Sequence, residues 1–148
     1  MVAIFRATIM RVVLDTNFWV SYLISHHPLI ADVVDIHLAR DDFKAVTSSV
    51  LLEELERVLQ YPKLQRYYDP ETRLRFVALV AALSELVDLP EKVPAICRHP
   101  ADDWVIATAV AGHAEVIISG NRHLLELGQV GEIAIISPRL FLKQVSKT

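Results

Sequence analysis

At 148 residues with a formal net charge of -3, the chain has the length for one domain with a sizeable core and lacks the global positive charge of a non-specific nucleic-acid coat. Hydrophobic residues make up 53%, but they fall in runs broken by charge, none of membrane-spanning length, and the opening decapeptide lacks the basic leader and cleavage site of a secretory signal, so a cytoplasmic location is expected. The single cysteine, Cys97, excludes an internal disulfide and a cysteine-based zinc site.

Residues 1–9 are expected to be an N-terminal extension and 10–148 one folded domain. Arg11 to Leu14 is a short β-branched run ending at Asp15, the pattern of a buried parallel strand. Thr16 or Asn17 is placed to cap a helix running through Ile24. A second helix is expected over Pro28 to Arg40, and a strand over Phe43 to Thr47. Ser48 then opens a helix from Ser49 to Tyr61, stopped by Pro62, with Leu51, Leu52, Leu55, Val58 and Leu59 at helical spacing.

Between Lys63 and Arg75, basic Lys63, Arg66, Arg73 and Arg75 interleave with Tyr61, Tyr67 and Tyr68, a composition suited either to gripping phosphates and bases or to a solvated helix connection. Glu71 to Val87 follows as a long apolar-rich helix, and Leu89 to Pro100, with three prolines, as a loop. Asp102 or Asp103 starts a helix ending at Gly112. Val116-Ile117-Ile118 is a further buried strand, Asn121 to Leu127 a short helix, Ile133 to Ile136 a last strand and Pro138 to Val145 a terminal helix. This alternation predicts a three-layer α/β/α sandwich around a mainly parallel sheet.

In such a sheet, functional groups collect outside the carboxyl ends of the strands. Acidic or amide-bearing segments stand where apolar runs stop: Asp15-Thr16-Asn17, Glu53-Glu54, Asp102-Asp103 and Ser119-Gly120-Asn121. Carboxylates gathered at one point repel one another unless a cation neutralises them, which points to a divalent metal acting on phosphates.

These segments carry a resemblance to a family. Val13-Leu14-Asp15-Thr16-Asn17 with Val20-Ser21, then Ser48 leading into Leu52-Glu53-Glu54-Leu55, then Arg98-His99-Pro100-Ala101-Asp102-Asp103, and finally Ala114 to Ser119 with Gly120-Asn121 appear in the order and at the spacing of the PIN-domain nucleases. The chain resembles in particular the VapC-like toxins of prokaryotic toxin-antitoxin pairs, and the likeness runs from Met10 onward. It implies a ribonuclease using Mg²⁺ or Mn²⁺, an antitoxin partner that covers the site, and a homodimer.

Carried over residue by residue, the resemblance makes Asp15, Glu54 and Asp102 the metal ligands. Asp103 becomes a second ligand, a water-mediated partner or the proton acceptor, and Asn121 a neutral contributor where many relatives carry Asp. Glu53, the adjacent acid, competes with Glu54, and Asp103 competes with Asp102 because alignment through the helix to Ala109 selects Asp102 while alignment through the following strand to Ser119 selects Asp103. His99 and His123 suit surface or capping roles, since oxygen-rich sites favour Mg²⁺ or Mn²⁺ over zinc. Hydrolysis by water would leave 5'-phosphate and 3'-hydroxyl ends. The competing readings are a binding module that has kept the fold and lost catalysis, and a phosphoryl-transfer domain with an Asp after its first strand; the latter lacks the second Asp or the late Lys that such domains need.

Overall fold

The computed structural model describes residues 9–25 and 27–145, so residues 1–8 of the expected extension lie outside the described residues. The chain runs β1 (Met10–Leu14), α1 (Thr16–Ile24), α2 (Pro28–Asp32), β2 (Phe43–Ser48), α3 (Ser49–Leu59), α4 (Pro70–Leu83), β3 (Ser84–Val87), α5 (Pro100–Ala111), β4 (Val116–Ile118), α6 (Arg122–Leu127), β5 (Gln129–Val130), β6 (Ile133–Ile136) and α7 (Pro138–Val145). The strands form one sheet in the order β3-β2-β1-β4-β6-β5, parallel throughout except for the β5–β6 pair.

Strand alternation divides the core into two layers. On β1, Val12 and Leu14 face one side with Phe18, Trp19, Leu55, Leu59, Phe76 and Phe141, while Val13 faces the other with Leu51, Val105, Ile106, Ala109 and Leu124. The result is the α/β/α sandwich expected from the sequence. The sheet reverses direction of growth between β1 and β4, and this switch point is where open α/β sheets leave a crevice at their carboxyl ends. Close approach across the sheet uses a glycine: a β-carbon at Gly112 would collide with Val46, and the Gly112 carbonyl accepts a 2.6 Å hydrogen bond from Arg11 Nε.

Several boundaries differ from expectation, each for a local reason. The helix expected through Val87 stops at Leu83, and Ser84–Val87 becomes an edge strand on β2, tied to β1 by an Arg11–Glu85 ion pair of 2.7 Å. A short apolar run fits either a helix or a strand by periodicity, and here the free edge of β2 decides. The expected Pro28–Arg40 helix is regular only to Asp32; Val33–Leu38 widens into a π-helical turn that buries Val33, Val34, His37 and Leu38. The helix expected to Tyr61 ends at Leu59, before a 3₁₀ turn over Pro62–Leu64. β5 was not expected, because two residues leave too little pattern to detect.

Two helix starts also move, and both matter to the site. Neither Thr16 nor Asn17 caps α1: Asp15 does, its Oδ1 accepting 2.8 Å from the Phe18 N–H. Helix α5 begins at Pro100, which suits a first helical position, so Asp102 and Asp103 lie inside its first turn rather than at its cap.

Candidate active site

Four segments distant in sequence line one cleft of about 350 Å³ at the switch point: Asp15, Thr16 and Asn17 after β1, Glu54 and Val58 on α3, Ala101, Asp102 and Val105 on α5, and Asn121 and Leu124 at α6. Asp15 sits at the end of β1 with 3% of its surface exposed. Its Oδ1 is spent on the α1 cap, and its Oδ2 accepts a short hydrogen bond from the Ser119 hydroxyl at the end of β4. That hydroxyl in turn accepts 2.8 Å from the Asn121 N–H. The β1 and β4 ends are thereby locked together by one small side chain.

Glu54 reaches the cleft from the middle of α3, where its Oε2 accepts 2.9 Å from the Thr16 hydroxyl. Among the described residues its only ion pair is a loose one of 4.0 Å with Arg57. Glu53, one position earlier and so turned by about 100° around the helix, is exposed and outside this cleft. Asp102 projects from the first turn of α5, and its Oδ1 accepts 3.1 Å from the Asn121 amide nitrogen. Asn121 uses its other end as the α6 cap, with Oδ1 accepting 2.9 Å from the His123 N–H. Its oxygen is therefore committed to the helix, and what it offers the cleft is a donor that holds Asp102.

Asp103 goes elsewhere. Its Oδ1 accepts from the N–H groups of Ile96 at 2.9 Å and Cys97 at 2.6 Å, so it ties the proline-bearing loop to α5, away from the cleft. His99 and His123 are both exposed, with ring centroids 4.6 Å apart. The basic and aromatic stretch after α3 is likewise outside the cleft and largely pairs with itself: Arg66 lies 4.9 Å over the Tyr67 ring, Arg75 bridges Glu71 at 2.5 Å, and Asp69 caps α4.

The electrostatics separate these carboxylates. Burial pushes Asp15 up to about 6; the hydrogen bonds from Ser119 and Phe18 oppose this, and the charges of Asp102 and Glu54 add to it. Burial also raises Asp102, although His99, His123 and the Asn121 amide pull against it. For Asp103 burial again acts upward, but the Cys97 and Ile96 N–H groups outweigh it and hold the carboxyl below its ordinary value. The same environment pushes the Cys97 thiol up to about 12, mainly by burial and then by Asp103, which leaves it inert.

Hard oxygen donors under mutual repulsion match the chemistry of Mg²⁺ or Mn²⁺. Among the described residues, however, no three His, Cys, Asp or Glu side chains make a ready-formed ligand set. The donor types fit a divalent cation while the shell is not closed by protein alone, as is usual for Mg²⁺, which keeps several waters.

Sequence reasoning leaves Ser119 as a motif member without a site role and Thr16 open between capping and hydrogen-bonding a site acid; a hydroxyl at each strand end beside a buried acid is the signal for both. No helix among the described residues is long and apolar enough to cross a membrane.

Comparison with known proteins extends this picture. The family model described as PIN domain matches residues 11–123. An uncharacterized protein, MJ1680 from Methanocaldococcus jannaschii, is 25% identical over 146 residues, covering 93% of this chain and 92% of its own. Among solved structures, VapBC2 from Rickettsia felis bound to a DNA fragment from their promoter aligns with a TM-score of 0.62 at 15% identity, over 86% of this chain and 98% of that one. PAE2754 from Pyrobaculum aerophilum aligns with a TM-score of 0.60 at 12% identity, over 94% and 91%. At these identities the two structures speak to the fold alone.

Proposed function

The chain belongs to the PIN domain family, and from that premise we propose that it is a metal-dependent ribonuclease, the toxin of a toxin-antitoxin pair. The observation that carries this is the meeting of Asp15, Glu54 and Asp102, from three distant segments, in one cleft at the β1/β4 switch point.

Asp15, Glu54 and Asp102 are the residues that would hold Mg²⁺ or Mn²⁺. A divalent cation bound there supplies a nucleophilic water at neutral pH and neutralises charge developing on the scissile phosphate. The protein's own part is orientation. Ser119 and the Phe18 N–H fix Asp15, Thr16 fixes Glu54, and the Asn121 amide fixes Asp102, so each acid arrives with its rotamer set. With one Asp103 oxygen occupied by two backbone N–H groups, accepting the water's proton falls to the cleft carboxylates. An acidic cleft is also a natural receptor for an antitoxin arginine, and the fold likeness to VapBC2 supports a partner of that kind. Homodimerisation and a cytoplasmic location belong to the same proposal.

The test compares the protein with its Asp15→Asn variant on a panel of RNAs with Mg²⁺, Mn²⁺ or EDTA. Cleavage to 5'-phosphate and 3'-hydroxyl ends should occur only with the intact carboxylate and metal. Equal cleavage by both proteins would overturn the proposal, and tight RNA binding without cleavage by either would favour the binding-module alternative.

A further inference from the structure

Beside the carboxylate cleft, and sharing Glu54 and Ala101 with it, lies a second cavity of about 540 Å³ lined by Val50, Glu53, Glu54, Arg57, Ala101 and Trp104. The lining follows from helical spacing. Val50, Glu53, Glu54 and Arg57 form an i, i+3, i+4, i+7 stripe on α3, and Ala101 and Trp104 stand one turn apart at the start of α5. Because Glu54 belongs to both cavities, whatever occupies the second lies directly beside the reacting position.

Trp104 is half-buried, packed on one side against the core layer that contains Val13, Leu51 and Val105. Its backbone is anchored: the Thr108 hydroxyl donates 2.8 Å to its carbonyl and lies 2.9 Å from the Ser48 hydroxyl that caps α3. Packed against the core and partly exposed beside the cavity, the indole is suited to act as a stacking platform. Glu53 is exposed and makes no hydrogen bond or ion pair among the described residues, so its carboxylate is a free double acceptor. Arg57, with its side chain 66% exposed, has only the 4.0 Å ion pair with Glu54 among the described residues.

We propose that this cavity is a nucleobase subsite that selects guanine next to the scissile bond, with the base stacked on Trp104 and its Watson–Crick edge on Glu53. The inference rests on the ribonuclease reading above. Two glutamates against one arginine repel a phosphate from the cavity interior, and Arg57 stands against a basic peptide side chain. A neutral, flat group with N–H donors fits both constraints. Among the RNA bases only guanine presents two adjacent donors, N1–H and N2–H, to one carboxylate. Adenine and cytosine set an acceptor beside their amino group, and uracil flanks its single N–H with carbonyls. Arg57 at the rim is left to meet the neighbouring phosphate.

The experiment measures binding rather than cleavage, using the Asp15→Asn protein and hexaribonucleotides that differ at one position in carrying guanine, inosine, adenine or uracil. Quenching of tryptophan fluorescence reports on Trp104, because Trp19 is only 4% exposed. The guanine hexamer should bind about tenfold tighter than the adenine and uracil ones, with inosine between, the scale of one bidentate base contact. Adding Glu53→Gln, at an exposed position, should bring all four within about twofold, and Trp104→Leu should weaken all four about tenfold with its circular dichroism unchanged. Equal binding of the four hexamers, or a guanine preference that survives Glu53→Gln, overturns the subsite. Quenching by an arginine-rich peptide with none by any hexamer does the same. Guanine preference in a protein that cleaves no RNA would leave the subsite standing and sink the nuclease reading; cleavage without base preference would do the reverse.

Discussion

Asp102 and Asp103 are chain neighbours in the same helical turn, each 7% exposed, yet they have opposite fates. On the cleft side Asp102 has one oxygen held by the Asn121 amide and its carboxyl raised by burial. On the loop side Asp103 accepts from two backbone N–H groups at its Oδ1, and its carboxyl is held low. Burial alone therefore does not mark a functional acid. The distinguishing property is whether the protein's own donors outweigh the cost of burying the charge; where they do not, as at Asp102 and Asp15, the fold carries an electrostatic cost that a cation can relieve.

Exchanging each acid for its amide should split the pair. Asp102→Asn is expected to lower RNA cleavage by a factor on the order of 10²–10³, since it removes a charge that would neutralise and position metal at the scissile phosphate. Its melting temperature should stay level or rise, and added Mg²⁺, expected to raise that of the parent protein, should no longer do so. If Asp102→Asn cleaves normally while Asp103→Asn does not, the assignment of the two faces is inverted.

The next effect belongs to Asp15, and its sign is fixed by linkage. An acid whose carboxyl is raised from 3.8 to about 6 on folding binds more protons in the native state across that interval. Stability should therefore be highest below about pH 4 with respect to this group and decline as pH rises through 6, by roughly 2–3 kcal/mol for a shift of this size in a buried group. Denaturant unfolding between pH 4 and 8 checks this: Asp15→Asn should flatten the slope and be the more stable protein at pH 8. Mg²⁺ should flatten the parent's slope in the same way. A parent that gains stability over this interval relative to Asp15→Asn would contradict the raised carboxyl.

A smaller loss is expected on the loop side. Asp103→Asn keeps Oδ1 as the acceptor for both N–H groups but removes the charge from both bonds, which should cost about 1–2 kcal/mol of unfolding free energy. Cleavage per folded molecule should change by less than about threefold, because Asp103 touches no cleft residue through its Oδ1 bonds. Protection of the Ile96 and Cys97 amides in hydrogen exchange should fall at the same time.

Much of this contrast was legible in the chain, and its limits are physical. Asp15 was readable because a β-branched run ends on an acid, and burying that acid demands a partner. The apolar stripe of α3 left both Glu53 and Glu54 off the core face, and only the family resemblance favoured Glu54 between them. The division of labour between Asp102 and Asp103 was not, since both lie in one turn and the outcome depends on where the proline-bearing loop passes; no local pattern encodes that the Ile96 and Cys97 N–H groups come to rest on one of them. The same holds for Ser84–Val87, whose strand character is supplied by the waiting edge of β2, and for the π turn at Val33–Leu38, which buries Val33, Val34, His37 and Leu38 on one side.

The finest test alters the group that keeps Asp102 tolerable. Asn121 does two things at once, capping α6 through Oδ1 and donating to Asp102 through its amide nitrogen. Asn121→Asp keeps the first, because Asp caps a helix as well as Asn does, and inverts the second, because a donor becomes a like charge. The cap should therefore contribute no difference, and the remaining change isolates the repulsion with Asp102. Without divalent cation the variant should lose somewhat less than 1 kcal/mol of stability at pH 8, the scale of a part-exposed charge contact. With Mg²⁺ it should gain more than the parent, since a fourth carboxylate now faces the same cleft. A variant that matches the parent in stability both with and without Mg²⁺ would mean that the residue matters only as a helix cap, and that the cleft acids are not under the tension that separates them from Asp103.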